Sequence, residues 1–355
     1  MMYNSKTYTV ESVTSGHPDK ICDQISDAIL DECLRQDPKS RVAVESFGSH
    51  GILMLGGEIT TRAEVDFAEV ARRIYRDIGH KNELHIITKV VTQSPDIAQG
   101  VDTGGAGDQG IMYGFATDET PEYMPAAVVS AHTLARGLEQ LRRTHRDFFW
   151  LKPDGKTQVT VENEKIKTVL VSCQHDEKIE QPEIKKLLTE HLILPAIGDI
   201  AGIEILVNPT GKFVIGGFDA DTGLTGRKIM VDTYGGLIPH GGGCFSGKDP
   251  TKVDRSAAYM ARFAAKNIVA GGRAKKCLVS VAYAIGRAEP LMVEAVNEKG
   301  ERLNEIVKEK FDFRPQAIIE RLDLRRPIYL ETAAYGHFGK AGLPWEEIIV
   351  EGQTP

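Results

Sequence analysis

The feature that most constrains the fold is an order of elements that the sequence repeats three times. In each copy a helical hydrophobic pattern precedes two strand-like segments joined by a turn, and further helical pattern follows. The copies begin about 110–130 residues apart, a spacing typical of repeated structural units. We predict helix, strand, strand and helix at 17–36, 41–47, 52–59 and 64–78; at 124–143, 158–162, 167–175 and 181–194; and at 251–270, 276–286, 291–296 and 303–311, with a last helix near 315–322.

This order predicts three related α+β units, and 355 residues are enough for two or three domains. Hairpins flanked by helices are common, so coincidence is the alternative explanation of the repetition.

The composition bears on the class of protein and on its partners. A net charge of −7 argues against a general nucleic-acid surface, and no apolar run reaches the roughly 18 residues that a membrane helix needs. Residues 1–10 lack the pattern of a secretory signal. Five scattered cysteines without a Cys-x-x-Cys pair favour a reducing compartment. We expect a cytoplasmic protein with no nucleic-acid or membrane partner.

Glycine-rich segments separate the units, at 93–110, 208–226 and 234–248. Within the last of them, Gly242, Gly247 and Lys248 have the Gly-x4-Gly-Lys spacing of a phosphate loop, in which glycines let backbone N–H groups approach an anion.

The residues after this loop modify that prediction. We expect Asp249 and Pro250 to begin the next helix, as its N-cap and first residue. Asp249 stands where a nucleoside triphosphatase has Ser or Thr for magnesium, and no strand directly precedes the loop, so that fold is disfavoured. A purely structural glycine turn is the alternative.

Cations gather around the glycine segments of this acidic chain. Lys248 is followed by Lys252, and Arg227 and Lys228 lie one loop upstream. Single lysines are usually solvated surface charges, but four cations beside glycine loops suit a polyphosphate.

The segment Ser-Gly-His-Pro-Asp-Lys at 15–20 begins the first helix, with Pro18 at the first helical position. A simple helix cap is the plainer interpretation. The functional one gives His17 a hydrogen bond to phosphate and Asp19 a place on magnesium.

The acidic candidates are less informative when taken singly. Glu45 and Glu58 lie on predicted strands, where a solvated strand face explains them equally well, whereas Asp108, Asp154 and Asp221 lie in turn contexts.

In chain order these segments resemble the S-adenosylmethionine synthetase (methionine adenosyltransferase) family, over essentially the whole chain. The matching stretches are Gly-His-Pro-Asp-Lys at 16–20, Gly-Gly-Glu-Ile-Thr at 56–60, Gln-Ser-Pro-Asp-Ile at 93–97, Gly-Ala-Gly-Asp-Gln-Gly at 105–110, Asn-Pro-Thr-Gly at 208–211, Gly-Leu-Thr-Gly-Arg-Lys at 223–228, the glycine loop at 241–250, Lys-Val-Asp-Arg-Ser-Ala-Ala-Tyr at 252–259 and Glu-Thr-Ala-Ala-Tyr-Gly-His-Phe-Gly at 331–339.

The resemblance implies an α+β fold of three topologically similar domains around a pseudo-threefold axis, which we place at 1–98, 105–217 and 218–353. It also implies a homodimer or a dimer of dimers, with active sites at the subunit interface. The implied substrates are ATP and L-methionine, and the implied cofactors are K⁺ and about two Mg²⁺ per site.

The resemblance further implies a role for each matching residue. The catalytic contacts to the triphosphate fall to His17, Arg227, Lys228 and Lys248. The implied magnesium ligands are Asp19 and Asp254, and the implied potassium ligand is Glu45. The implied methionine contacts are Glu58, Gln93, Asp221 and Lys252. The remaining ATP contacts fall to Asp108, Asp154, Lys156, Lys212, Phe213, Asp221, Cys244 and Ile285.

Three positions depart from the family pattern. Lys212 stands where many members have Arg, which puts any bidentate contact there in doubt. Cys244 replaces a smaller residue, and the segment after Gln93 is short.

The expected reaction is attack of the methionine sulfur on ribose C5′, followed by hydrolysis of the bound triphosphate to pyrophosphate and phosphate. The sulfur carries no proton, so the reaction needs alignment and a stabilised leaving group rather than a general base. Another ATP-dependent phosphotransferase is the alternative enzyme, and a nucleotide-binding scaffold or regulatory subunit is the non-enzymatic alternative.

Overall fold

A computed structural model describes residues 6–92 and 104–349. The helices α1 to α9 are Pro18–Gln36, Phe67–Ile78, Ala126–Thr144, Gln181–Leu188, Leu194–Ile197, Ile229–Asp232, Val253–Ala270, Asn304–Lys310 and Pro315–Arg321. The strands β1 to β11 are Thr7–Val13, Arg41–Ser49, Ile52–Thr60, His85–Val91, Gly110–Thr117, Leu151–Glu162, Lys165–His175, Glu204–Val207, Gly223–Leu224, Lys276–Tyr283 and Met292–Asn297. The fold is therefore of the mixed α+β class.

The repeated order of elements is confirmed. Helix, antiparallel hairpin and helix follow one another as α1–β2–β3–α2, α3–β6–β7–α4 and α7–β10–β11–α8. Some bounds differ from the prediction. Helix α2 begins at Phe67 because the Asp66 carboxylate accepts the Glu69 N–H as an N-cap. Strand β6 begins at Leu151, seven residues before the predicted start, with a register shift between Leu151 and Gly155.

The strands outside the three hairpins were not predicted, and three of them, β1, β5 and β9, connect the units. Strand β1 precedes α1 but pairs with β6, β5 precedes α3 but pairs with β10, and β9 precedes α7 but pairs with β2. The resulting sheets have the orders β1-β6-β7-β8, β11-β10-β5 and β4-β3-β2-β9. Each repeated unit thus gives one strand to the sheet of another unit, and the three exchanges form a closed cycle.

Helix α1 lies in the centre of the core. Its apolar residues Ile21, Ile25 and Ile29 are fully buried, but so are several of its charged residues. Buried charges of this kind require partners, and several of those partners come from the loops that form the site described below. Among the residues that the structure describes, no helix is long and apolar enough to cross a membrane.

Candidate active site

The site begins at the N-terminus of α1. His17 is the N-cap of this helix, and the place of Pro18 as its first residue is as predicted. The His17 Nδ1 accepts the backbone N–H of Asp19 at 3.2 Å, so the ring proton is on Nε2. Burial, with the charges of Lys228 and Lys156 adding to it, lowers the pKa of His17 to about 3. His17 is therefore a neutral hydrogen-bond donor rather than a cation.

Asp19 connects this helix end to the loop at 223–228. Its buried carboxylate accepts the Leu224 N–H at 2.9 Å and the Lys228 ammonium at 2.5 Å, and the Arg227 Nε lies 3.8 Å away. The Arg227 side chain remains about half exposed. Two cations from a distant part of the chain thus lie beside the neutral donor His17.

Strand β6 adds Asp154 and Lys156 to the same region. Asp154 Oδ2 accepts the Gly217 N–H at 2.8 Å, whereas its buried Oδ1 has no partner among the described residues. Burial raises the pKa of Asp154 to about 6. Asp221 and Lys156 lie close enough for their charges to shift the pKa of both His17 and Asp154. An unpaired buried carboxylate oxygen is a suitable acceptor for a ligand hydroxyl or amine.

Lys212 and Phe213 lie on the loop that follows β8. Phe213 is half-buried, and its backbone N–H donates to His175 Nε2 at 3.0 Å. The Lys212 side chain is largely exposed, 3.9 Å from Glu177. Because the side chain of Gln174 donates to the Val214 carbonyl and contacts the backbone of Asp154, this loop is anchored next to Asp154.

A second set of candidate residues, Lys248 and Asp254, lies at the end of the glycine loop at 241–248 and just after it. Lys248 donates to the Asp254 carboxylate at 2.6 Å. Gly243 packs directly on this carboxylate, since a Cβ there would come within 2.1 Å of Asp254 Oδ1 and would force the Asp254 side chain to shift. Burial lowers the pKa of Lys248, but the negative charges around it, among them Asp254 and Glu45, outweigh that effect and raise it. Lys248 is thus a cation beside a carboxylate that lies at the start of α7.

The prediction that Asp249 caps α7 is wrong. The helix begins at Val253, and no side chain makes a capping hydrogen bond at Lys252, which takes the N-cap position. The buried Asp249 carboxylate instead accepts the Val42 N–H at 2.6 Å and the Lys252 ammonium at 2.5 Å. These partners hold the loop on β2 and leave the carboxylate unavailable as a cap.

Cys244 lies where the loop at 223–228 contacts the glycine loop at 241–248. Gly226, with φ near +80°, packs so closely on Cys244 that a Cβ at 226 would lie 2.5 Å from the cysteine Cβ. The loop carrying Arg227 and the loop carrying Lys248 are therefore in direct contact. Burial raises the pKa of the Cys244 thiol, which makes a packing role more suitable for it than a nucleophilic one.

The other predicted residues lie on the hairpin β2–β3 and on two loops that contact each other. Lys248 and Glu58 are both paired with Ala43, on opposite sides of β2, and Glu45 lies two residues further along that strand. Asp108 and Ile285 lie on two loops that are joined by hydrogen bonds of Ala106 with Gly286 and Arg287. Ile285 is 61% exposed. Gln93 lies outside the described residues.

The sequence reasoning missed a regular series of carboxylates on α1, which we call the aspartate row: Asp19, Asp23, Asp27 and Asp31. The members are four residues apart and therefore share one helix face. All four are buried, and each accepts backbone N–H groups from a remote segment: Leu224, Gly226, Gly247, and Tyr329 with Leu330, respectively. An acidic residue at every fourth position of a buried helix was the signal available in the sequence.

Two carboxylates of the site, those of Asp19 and Asp254, are candidates to hold a metal ion. No group of three or more His, Cys, Asp or Glu side chains suited to a metal occurs within 6–92 and 104–349. Asp19 and Asp254 instead each pair with one lysine, Lys228 and Lys248. Single carboxylates of this kind fit a Mg²⁺ ion that takes its other ligands from water and substrate phosphates.

Comparison with known proteins gives one consistent family. Three domain models match this chain: the S-adenosylmethionine synthetase N-terminal domain at residues 5–98, the central domain at 103–213 and the C-terminal domain at 215–347.

The S-adenosylmethionine synthase of Pseudothermotoga lettingae is 50% identical, over 97% of this chain and 96% of the relative. That of Staphylococcus epidermidis is also 50% identical, over 98% and 97%, and that of Thermus thermophilus is 50% identical, over 96% and 95%. With three domain models matched in order and identity of this extent, the chain belongs to the S-adenosylmethionine synthetase family.

Proposed function

We propose that this protein is a methionine adenosyltransferase, which makes S-adenosylmethionine from ATP and L-methionine and releases pyrophosphate and phosphate. The observation that carries the proposal is the cluster of Arg227, Lys228 and the neutral donor His17 around the buried Asp19. A triphosphate matches this surface because it offers several anionic oxygens to cations and hydrogen-bond donors at once.

The proposed chemistry follows from what these side chains can do. The methionine sulfur attacks ribose C5′, the C5′–O5′ bond breaks, and the electron pair leaves with the triphosphate. The sulfur has no proton to lose, so no general base is required. Arg227, Lys228 and Lys248 stabilise the charge of the departing triphosphate, and His17 donates a neutral hydrogen bond through Nε2. Water then cleaves the triphosphate that is held by the same groups.

We assign Mg²⁺ to Asp19 and Asp254, and K⁺ to Glu45. Bound Mg²⁺ would neutralise phosphate charge and orient the triphosphate. The support for this assignment is the number of bonds that each carboxylate makes: Asp254 accepts from Lys248, and Asp19 accepts from Lys228 and the Leu224 N–H, so lone pairs remain for a hard cation. Glu45 is exposed on β2, and its charge acts on Lys248, so it lies at the edge of the second set of candidate residues.

The remaining assignments concern the organic parts of the substrates. We assign methionine to Glu58, Gln93, Asp221 and Lys252, because carboxylates suit its ammonium group and the sulfonium product. We assign adenosine to Asp108, Asp154, Lys156, Lys212, Phe213, Cys244 and Ile285. The unpaired Asp154 Oδ1 and the exposed Ile285 support this assignment, since one offers a hydrogen-bond acceptor and the other an apolar surface.

We further propose a homodimer whose interface includes one face of the sheet β4-β3-β2-β9. Phe47, Met54 and Ile87 are direct cross-strand neighbours on this face, and each is more than 40% exposed. Large exposed apolar patches are typical of subunit interfaces. Glu45 and Glu58 belong to the same strand faces, since they are two residues from Phe47 and four from Met54. A partner on this sheet would thus border the site.

The domain arrangement and cellular location are also proposals. The closed cycle of strand exchange and the three domain models support domains at 1–98, 105–217 and 218–353 around a pseudo-threefold axis. All five cysteines are free thiols, which is compatible with a cytoplasmic location.

Product analysis tests the proposed function. The purified protein is incubated with ATP, L-methionine, Mg²⁺ and K⁺, and the products are identified by mass spectrometry. We expect S-adenosylmethionine, pyrophosphate and phosphate. We expect no transfer of a phosphoryl group from ATP to another compound. ADP or AMP together with a phosphorylated compound would support the phosphotransferase alternative, and no turnover would support a scaffold.

A further inference from the structure

The two middle members of the aspartate row hold the two cationic loops. Asp23 Oδ1 accepts the Gly226 N–H at 2.8 Å, directly before Arg227 and Lys228 in the chain. Asp27 Oδ1 accepts the Gly247 N–H at 2.8 Å, directly before Lys248. In both cases the bonded amide immediately precedes a cation that the proposed function assigns to the triphosphate.

Each of these carboxylates is itself fixed by a buried cation. Lys20 donates to Asp23 Oδ2 at 2.8 Å and to Asp232 at 2.6 Å. Arg255 binds both oxygens of Asp27, each at 2.7 Å. All five side chains are buried, so water does not compete for these contacts. A carboxylate that accepts hydrogen bonds on both of its oxygens has little freedom to move.

The helix sets the spacing between the two anchor points. Asp23 and Asp27 are one turn apart, which corresponds to a rise of about 6 Å along α1. The close contact of Gly226 with Cys244 also joins the two loops directly. Neither Asp23 nor Asp27 has a role in the chemistry proposed above.

We propose that Asp23 and Asp27 are positioning residues, which fix the cationic loops at 223–228 and 241–248 on α1 in the geometry that binds the triphosphate. This inference rests on the proposed function for the identity of the anion. It adds that the relative placement of the two loops, and not only the presence of their cations, determines turnover.

The test compares Asp23→Asn with Asp31→Asn. The Gly226 N–H bonds Asp23 Oδ1 and the Lys20 ammonium bonds Oδ2, and an asparagine puts an NH₂ group, which cannot accept, in place of one of these oxygens, so one bond must be lost. Asp31 is the matched control. It lies on the same helix and accepts backbone N–H groups of Tyr329 and Leu330, which belong to neither cationic loop.

We expect Asp23→Asn to lower kcat by about tenfold or more, because small misplacements of positioned groups have large effects on rate. The KM for methionine should stay within about twofold, and Asp31→Asn should keep kcat within about twofold. Equal loss of kcat in both variants, or no loss in either, would overturn the proposal. If Asp23→Asn does not fold, Asp23→Glu keeps the charge and shifts the carboxylate by one methylene, with Asp31→Glu as its control.

A double-mutant cycle gives a readout that a general structural role would not change. In a Lys228→Met background, where the loop has lost a cation, Asp23→Asn should have a smaller effect on kcat than in the wild type. Additive effects would contradict positioning through this loop.

Binding of inorganic tripolyphosphate, measured by calorimetry, separates this inference from the proposed function. It should weaken in Asp23→Asn and not in Asp31→Asn, even if the wild-type protein formed no S-adenosylmethionine. Equal tripolyphosphate affinity in the two variants would count against the inference.

Discussion

Replacement of Lys248 by alanine tests the account at a residue whose structural and chemical contributions can be separated. The Lys248 ammonium lies 2.6 Å from Asp254, and both side chains are about a quarter exposed. Because water can reach the carboxylate left behind, we expect Lys248→Ala to lower the free energy of unfolding by only about 1–2 kcal/mol. Loss of a donor that acts on charge developing in the transition state costs about 3–4 kcal/mol. Turnover should therefore fall by at least about a hundredfold.

The matched control is Lys276→Ala. Lys276 also pairs with a carboxylate, that of Glu119, at 2.8 Å. It is paired with Thr117 at one end of β5, whereas Gly110, at the other end of that strand, lies next to Asp254. Seven residues of strand separate the two ends by about 23 Å. We expect kcat of this variant to stay within about twofold of wild type.

The assay is steady-state formation of S-adenosylmethionine by variants whose folding has been verified by circular dichroism and chemical denaturation. Turnover of Lys248→Ala close to wild type, in a folded protein, would refute the role assigned to Lys248. An equal loss in Lys276→Ala would show that loss of any surface pair is sufficient, which would also refute the reasoning.

Three further predictions concern pH, assembly and metal. Burial lowers the pKa of His132 to about 3 from an ordinary 6.5, so between these values the unfolded chain binds a proton at this residue that the folded protein does not. His132 should therefore contribute about 2 kcal/mol to the fall in unfolding free energy from pH 8 to 5, and His132→Asn should make that fall smaller by this amount in urea titrations at both pH values. Phe47→Asp places a charge in the exposed apolar row that Phe47 forms with Met54 and Ile87. We expect this variant to be a monomer on size-exclusion chromatography with light scattering and to have greatly reduced turnover, whereas an unchanged dimer would count against this interface. Chelation of divalent metal should abolish turnover but shift the Tm by no more than about 2 °C, because lysines already neutralise the charges of Asp19 and Asp254. Unfolding of the protein on chelation would contradict this prediction.

Local signals in the sequence predicted the parts of the fold that depend on neighbouring residues. The repeated hairpins and their flanking helices were predicted because hydrophobic periodicity and turns are encoded within each segment. The place of Pro18 as the first residue of α1 was also predicted correctly, because this proline signal lies within the segment itself. Asp249 has the same local context for a cap, but its carboxylate binds Val42, about 200 residues away in the chain, and local reasoning could not include that partner.

Long-range pairing accounts for most of what was missed. Strand β1 pairs with β6, so that Val13 lies opposite Lys156, and β9 is only two residues long. Neither pairing leaves a pattern that a local window can detect. The candidate site was predicted as a set of residues, through the family resemblance. Its organisation by the aspartate row depends on buried contacts between remote segments, and the sequence alone did not reveal them.

The most direct test of the central claim follows the oxygen that bridges ribose C5′ and the α-phosphorus of ATP. ATP labelled with ¹⁸O at this position is incubated with the protein, L-methionine, Mg²⁺ and K⁺, and the products are analysed by mass spectrometry. Displacement at carbon breaks the C5′–O5′ bond, so we predict that the label appears in pyrophosphate or phosphate. Label retained in an adenosine-containing product would show cleavage at phosphorus, and would contradict the conclusion that the cationic loops stabilise a triphosphate leaving from carbon.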